Sequence, residues 1–240
     1  MLISHRKQFI FTKTKKTAGT SVESYFELYC MPDGEWEQVH ARDEYVSEAG
    51  IIGYRGSSRS AAKWYHHMSA ASIRDLIGRE IWDSYYKFTV IRNPFDKLVS
   101  GFYMDEKIRR NYTQLQRLKS SAKRLMGKGR PIDRTTGRSE VERFRSWLRH
   151  GGAIHDRDKY LIDGVECVDY IIRYEALNGG IRHVCERLAI PFEPERIPQF
   201  KKGMRPHTIP VRDYFDAESE AIVRKLYAWE IERCGYELPG

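Results

Sequence analysis

Phe9-Ile10-Phe11-Thr12-Lys13-Thr14-Lys15-Lys16-Thr17-Ala18-Gly19-Thr20-Ser21 is the stretch whose reading decides the fold. An apolar run, Phe9 to Phe11, gives way to a loop of lysine, threonine, alanine and glycine. Val22, Tyr25, Phe26 and Tyr29 then recur at helical spacing, so the stretch reads as strand, loop and helix. Small residues at 18 and 19 let a backbone approach an anion closely, and the hydroxyls of Thr17, Thr20 and Ser21 can donate to it. The positive end of the new helix faces the same place. Lys13, Lys15 and Lys16 read as mobile positive charge around it. The plainer alternative is an ordinary helix cap by Thr20 or Ser21 with solvated lysines. A Walker A loop is disfavoured, because the lysines precede Gly19 and no Gly-Lys pair sits in the loop.

A second strand-to-helix turn lies further on. Lys87 to Ile91 reads as a buried strand ending at Arg92, with Asn93 as N-cap, Pro94 at the first helical position, and Phe95, Leu98, Val99 and Phe102 on the buried stripe that follows. In an open α/β sheet the carboxyl ends of strands are where ligands bind, which places Arg92 there. Between the two units, Ile73, Leu76 and Ile77 mark a short helix with Ser69 as N-cap and Gly78 as stop, and His67 stands just ahead of it. Residues 31 to 64 read as irregular connection, with room for short strands. Val168 to Ile172 reads as another buried strand. Helices are expected over Val141 to Leu148, Ile181 to Ala189 and, as one element, Ala217 to Cys234.

At 240 residues the chain is long enough for one sizeable domain. A net charge of +8 favours anionic ligands without choosing among nucleotides, acidic sugars, nucleic acids and membrane surfaces. No apolar run reaches the length of a membrane span, and Met1 leads almost at once into a strand, so a cytoplasmic protein is expected. Cys30, Cys167, Cys185 and Cys234 are scattered without metal-ligand spacing and read as buried free thiols; no metal site is expected. Lys107 to Arg130 carries nine Lys or Arg and no acid, interleaved with Tyr112, Leu115, Leu118 and Leu125. It reads either as a solvated amphipathic helix or as an acceptor-binding surface.

Three of these segments together resemble the sulfotransferases that use 3′-phosphoadenosine 5′-phosphosulfate (PAPS), and among them the carbohydrate-sulfotransferase branch. Lys16-Thr17-Ala18-Gly19-Thr20-Ser21 is similar to that family's 5′-phosphosulfate loop. Val90-Ile91-Arg92-Asn93-Pro94-Phe95-Asp96-Lys97-Leu98-Val99-Ser100 is similar to its 3′-phosphate motif, and His67-Met68-Ser69-Ala70 to the segment bearing a catalytic histidine. The order of the three is the family's, with Lys15 standing where many members have proline. The resemblance implies an α/β, P-loop-like fold with a central, mainly parallel sheet flanked by helices. It also implies a single sulfotransferase-like domain over 1–240, with a basic insertion around 105–140.

It further implies PAPS as donor, 3′,5′-adenosine bisphosphate (PAP) as product, and no metal. Lys16 and His67 are the implied catalytic residues. Donor contacts fall on Lys15, Lys16, Thr17, Ala18, Gly19, Thr20, Ser21, Arg92 and Ser100. The late basic segment with Lys202, Gly203 and Arg205 is a looser match to a closing loop. For the acceptor, a polar or anionic saccharide, the candidates are His66 and, from the basic stretch, Arg117, Lys119, Lys123 and Arg124. Chemistry agrees: the leaving phosphate needs a lysine and preorganised amides, and the acceptor hydroxyl needs a neutral base. A histidine ahead of a helix is held neutral by the helix dipole. The rivals are a small-molecule hydroxyl or amine as acceptor, a P-loop nucleotide kinase, which lacks its Gly-Lys-Ser/Thr here, and a nucleic-acid-binding module, which lacks a recognisable motif.

Overall fold

The computed structural model describes residues 1–56, 62–110, 139–198, 200 and 209–240. Contacts divide the chain into two compact units, Met1–Arg92 with His155–Phe200, and Asn93–Ile154 with Lys201–Gly240.

The first unit is built on a six-stranded sheet. In chain order its elements are β1 (Leu2–Ser4), β2 (Phe9–Thr12), α1 (Gly19–Phe26), β3 (Tyr45–Ser47), β4 (Gly50–Ile52), α2 (Ala70–Ile77), α3 (Arg79–Ser84) and β5 (Tyr86–Ile91). The unit's later segment adds a small hairpin, β6 (Leu161–Ile162) and β7 (Val165–Glu166), followed by β8 (Tyr170–Arg173) and α6 (Leu177–Arg187). The sheet order is β3-β4-β1-β2-β5-β8. Only β2-β5 and β5-β8 are parallel pairs; β1-β2, β1-β4 and β3-β4 are antiparallel. The sheet is therefore mixed rather than mainly parallel. Short connections at β1-β2 and β3-β4 permit only antiparallel neighbours, whereas the parallel pairs have a helix in each crossover.

Period-2 alternation sorts the side chains of the central strands. Phe9, Phe11, Phe88, Val90 and Ile172 share one core with Val22, Tyr25 and Phe26 of α1 and Ile181 and Val184 of α6. Ile3 and Ile10 face the other way, into a core with Trp64, Met68, Ile73 and Trp82. The expected helix at Ala70–Ile77 forms with Ser69 as N-cap, its side chain accepting from the Ser72 amide, and Gly78 as stop. β1 and α3 were not legible in the sequence: three and six residues are too few for a period to show.

The second unit holds α4 (Pro94–Arg110), α5 (Glu140–Arg149), α7 (Ala217–Leu226) and α8 (Ala228–Cys234). Asn93 caps α4 as expected, its Oδ1 accepting from the Phe95 amide at 3.1 Å. Phe95, Leu98, Val99 and Phe102 of α4 pack with Phe144, Trp147, Tyr214 and Phe215 in a core of their own. The single C-terminal helix expected from periodicity is two. Tyr227 breaks it with φ −117° and ψ 28°, while its hydroxyl accepts from the Ile154 amide and donates to the Ile154 carbonyl, each at 2.9 Å. Among the four free thiols, Cys30 and Cys185 are buried as expected, whereas Cys167 and Cys234 are half-buried. Among the described residues no helix is long and apolar enough to cross a membrane.

Two neighbouring glycines on α6 give a sharp test of how that helix seats on the sheet. A Cβ at Gly180 would lie 2.5 Å from Ile172 Cγ2, whereas one at Gly179 meets nothing within 4 Å. Gly180→Ala should cost about 1–3 kcal/mol through overpacking. Gly179→Ala should gain about 0.4–1 kcal/mol by reducing the freedom of the unfolded chain at an exposed first-turn glycine. Urea unfolding midpoints check both, and a shift of the same sign in the two variants would contradict this packing.

Candidate active site

The loop between β2 and α1 is anchored at both strands beneath it. Thr89 Oγ1 donates to the Thr12 carbonyl at 2.8 Å, and Thr14 Oγ1 donates to the Val90 carbonyl while lying 2.8 Å from Thr17 Oγ1. The Lys15 amide donates to Asp156 Oδ2 at 2.8 Å. Lys16 and Ala18 both take left-handed backbone conformations, φ 63° and 57°. Such residues cost about 1 kcal/mol or more each and persist where the surroundings impose them. Ala18 is the N-cap of α1, with no side-chain cap bond and no acid in the first turn. The plainer reading, a cap by Thr20 or Ser21, is thereby set aside. The Ser21 and Val22 amides donate to the Ala18 carbonyl at 2.8 and 3.2 Å. By helix geometry the Gly19 and Thr20 amides ahead of them have no partner within the helix, and neither a side-chain cap nor a first-turn carboxylate takes that end. The loop thus has the donor set and the field that an anion wants.

Lys13 is not the mobile charge expected of it. It is 3% exposed, its ammonium ion-paired with Glu23 and bonded to Thr20 Oγ1 at 3.2 Å. Gly19 is required above it, since a Cβ there would come within 2.9 Å of Lys13 Cγ. Glu23 is fully buried and also meets the amine of Met1 and Arg55 Nη1, the latter at 3.1 Å. Burial alone would raise the Glu23 carboxyl, but Lys13, the Met1 amine and Arg55 overcome it and hold the group well below the carboxylate range. Arg55 also ion-pairs with Glu27 and donates to the carbonyls of Val39 and His40 at 2.9 and 2.7 Å.

His67 has φ 61°, between a bridge that pairs Tyr65 with Tyr54 and the N-cap of α2. Its Nδ1 lies 2.9 Å from the Lys13 carbonyl. A carbonyl can only accept, so Nδ1 carries the hydrogen and the neutral ring keeps its lone pair on Nε2. Burial, and next the Lys13 charge, lower the His67 pKa to about 2. The helix dipole expected to hold this ring neutral is not the leading cause. His66 is fixed differently: both its amide and its Nδ1 donate to the Tyr54 carbonyl at 2.9 Å, and its ring meets His67 edge-on at 4.8 Å between centroids.

Arg92 completes the group. It donates to the Lys16 carbonyl at 3.0 Å, and its guanidinium lies 4.2 Å from the ring centroid of Tyr174. The structure thus brings His67 and Arg92 to the loop through the backbone carbonyls of Lys13 and Lys16, with His66 against the His67 ring. Ser100 is half-buried on α4, in the second unit. Lys202, Gly203 and Arg205, and likewise Arg117, Lys119, Lys123 and Arg124, lie outside the described residues. Glu23 and Asp156 were not foreseen at the site, and Tyr174, expected only as part of a structural Arg173-Tyr174-Glu175 cluster behind it, stacks on Arg92. Glu23 had one readable signal, the one charged side chain in the Gly19–Phe26 helix, beside Val22; Asp156, some 140 positions away, had none. Among the described residues no group of three or more His, Cys, Asp or Glu could hold a metal ion.

The depressed histidines have a signature in stability. Above pH 6.5 the imidazole of His67 is neutral folded and unfolded. Below it the unfolded chain takes a proton that the folded chain refuses until about pH 2, so stability falls with falling pH. The slope is about 1.4 kcal/mol per pH unit for one proton. His66 is shifted in the same direction. Denaturant unfolding between pH 7 and 5 should therefore flatten by about one proton in His67→Gln. A slope equal to that of the native chain would place His67 in water.

The Sulfotransferase family model matches residues 1–236, nearly the whole chain. No curated protein and no solved structure matches it. With that match spanning the β2–α1 loop and the segments that bear His67 and Arg92, the chain belongs to the sulfotransferase family.

Proposed function

We propose that this protein transfers the sulfuryl group of PAPS to a hydroxyl of a carbohydrate or glycoconjugate, in line, with His67 as the base. The observation that carries this reading is the 2.9 Å bond from His67 Nδ1 to the Lys13 carbonyl. It supports that role by holding a neutral ring, lone pair on Nε2, against the backbone of the segment that leads into the loop. The carbohydrate acceptor is inferred from the His67-Met68-Ser69-Ala70 pattern, and the single catalytic domain from a family match that runs through both units.

The residues fit a sulfated nucleotide. β2, the loop and α1 act as a P-loop-like cradle: Gly19 keeps the backbone accessible, and the helix end carries no competing cap or acid. PAPS, when bound, supplies the sulfuryl group, with PAP as its leaving group. Lys16 and the amides of Gly19 and Thr20 stabilise negative charge at the 5′ end, where preorganised donors are worth most. Arg92, fixed against Tyr174 and the Lys16 carbonyl, receives the 3′-phosphate. His67 Nε2 accepts the hydroxyl proton as that oxygen attacks, and the Lys13 carbonyl steadies the ring as positive charge forms on it. His66 borders the acceptor.

Thermal shift and transfer assays test the reading together. PAP should raise the melting temperature well above the effect of 5′-AMP or of ATP with magnesium at equal concentration. ATP with magnesium stabilising the protein more than PAP would contradict the donor assignment. With labelled PAPS and a panel of saccharide acceptors, His67→Ala should lower transfer about 100-fold or more and leave PAP binding intact. His66→Ala should lose less, and equal losses from the two would move the base away from His67.

A further inference from the structure

Lys13 makes two contacts that no reading of the motif assigns. Its carbonyl accepts from His67 Nδ1, and its ammonium donates to Thr20 Oγ1 at 3.2 Å. Thr20 is the second residue of α1 and half-exposed, so its hydroxyl lies at the helix end that faces the loop. A hydroxyl has one hydrogen and two lone pairs. When an ammonium, which can only donate, occupies a lone pair, the hydroxyl's own hydrogen is left to point elsewhere.

We propose that Lys13 is a positioning residue: its buried ammonium turns the Thr20 hydroxyl into a dedicated donor to the 5′ end of the sulfated nucleotide, while its carbonyl orients His67. One residue therefore sets both the donor side and the base side of the reaction. This rests on the sulfotransferase reading above. Glu23 makes the arrangement possible, since a lysine 3% exposed needs a carboxylate to remain charged, and Glu23 provides it from one turn along the same helix as Thr20. Gly19 fixes the path of the Lys13 side chain, because a Cβ at that position would strike Lys13 Cγ and Cε at 2.9 and 3.2 Å.

A double-mutant cycle on PAP affinity, read by calorimetry, tests this without any acceptor. Lys13→Met keeps the carbonyl and the side-chain length but removes the ammonium; Thr20→Val removes the hydroxyl. Each should weaken PAP binding about tenfold or more, the loss of one charge-assisted contact. The double variant should be no weaker than Thr20→Val alone, because without the hydroxyl there is nothing left for Lys13 to orient. Thr20→Ser, which keeps the hydroxyl, should bind as the native chain does. If Lys13→Met fails to fold, the same cycle is run with Lys13→Met/Glu23→Gln, which removes both buried charges together. Additive losses, or a Lys13 variant that binds PAP as tightly as native, would overturn the proposal. Failure of the native protein to bind PAP would instead overturn the donor assignment on which it rests.

Discussion

The hydrogen bond between the His67 ring and the Lys13 carbonyl joins segments that are 54 residues apart, and most of the candidate active site is arranged to hold it. On one side His67 stands at φ 61°, a conformation a bulky residue takes only when its neighbours leave no other. Those neighbours are Met68, 2% exposed in the core beneath α2, and His66, tied twice to the Tyr54 carbonyl. On the other side Lys13 directly follows β2, whose pairing with β5 is continued by Thr89 and Thr14 beyond the last rung. The ring is thus fixed to the sheet by backbone on both sides, and its tautomer follows.

A buried lysine beside a half-buried histidine is an expensive arrangement unless the charge is answered. Breaking such a pair by removing one partner costs about 3–5 kcal/mol, most of it the penalty of the charge left behind. Glu23 answers Lys13, Arg55 answers both Glu23 and Glu27, and Arg55 spends its remaining donors on the carbonyls of residues 39 and 40. The ion network therefore fastens α1 to the segment before β3 as well as to the loop. Burial, and next the charge of Lys13, keep the His67 imidazole beside this network unprotonated. The same property that suits His67 to the proposed role of base makes the fold sensitive to acid.

Much of this was legible in the sequence, for reasons that differ by element. Phe9-Ile10-Phe11 and Lys87 to Ile91 stand out as short, largely apolar runs because both faces of their strands are buried, and the Ser69 and Asn93 caps follow from local hydrogen bonding alone. Sheet direction was not legible: it depends on β1, β3 and β4, three residues each, whose pairings are set by chain connection rather than composition. Lys13 was misread because a lysine among lysines looks solvated, and only the depth of β2 shows that it points inward to Glu23. Asp156 and Tyr174 reach the site from the far side of the chain, where no local pattern connects them to the loop.

The most direct test of the central claim, a neutral His67 with its lone pair on Nε2, is nitrogen NMR of histidine-labelled protein, assigned by comparison with His67→Gln. Long-range nitrogen–proton correlations distinguish the two neutral tautomers and the imidazolium. The expected result is an Nδ1–H, neutral ring for His67 that is unchanged from pH 7.5 to 5, through the range in which an ordinary histidine titrates. An Nε2–H tautomer, or protonation near pH 6.5, would contradict the geometry on which the base assignment stands.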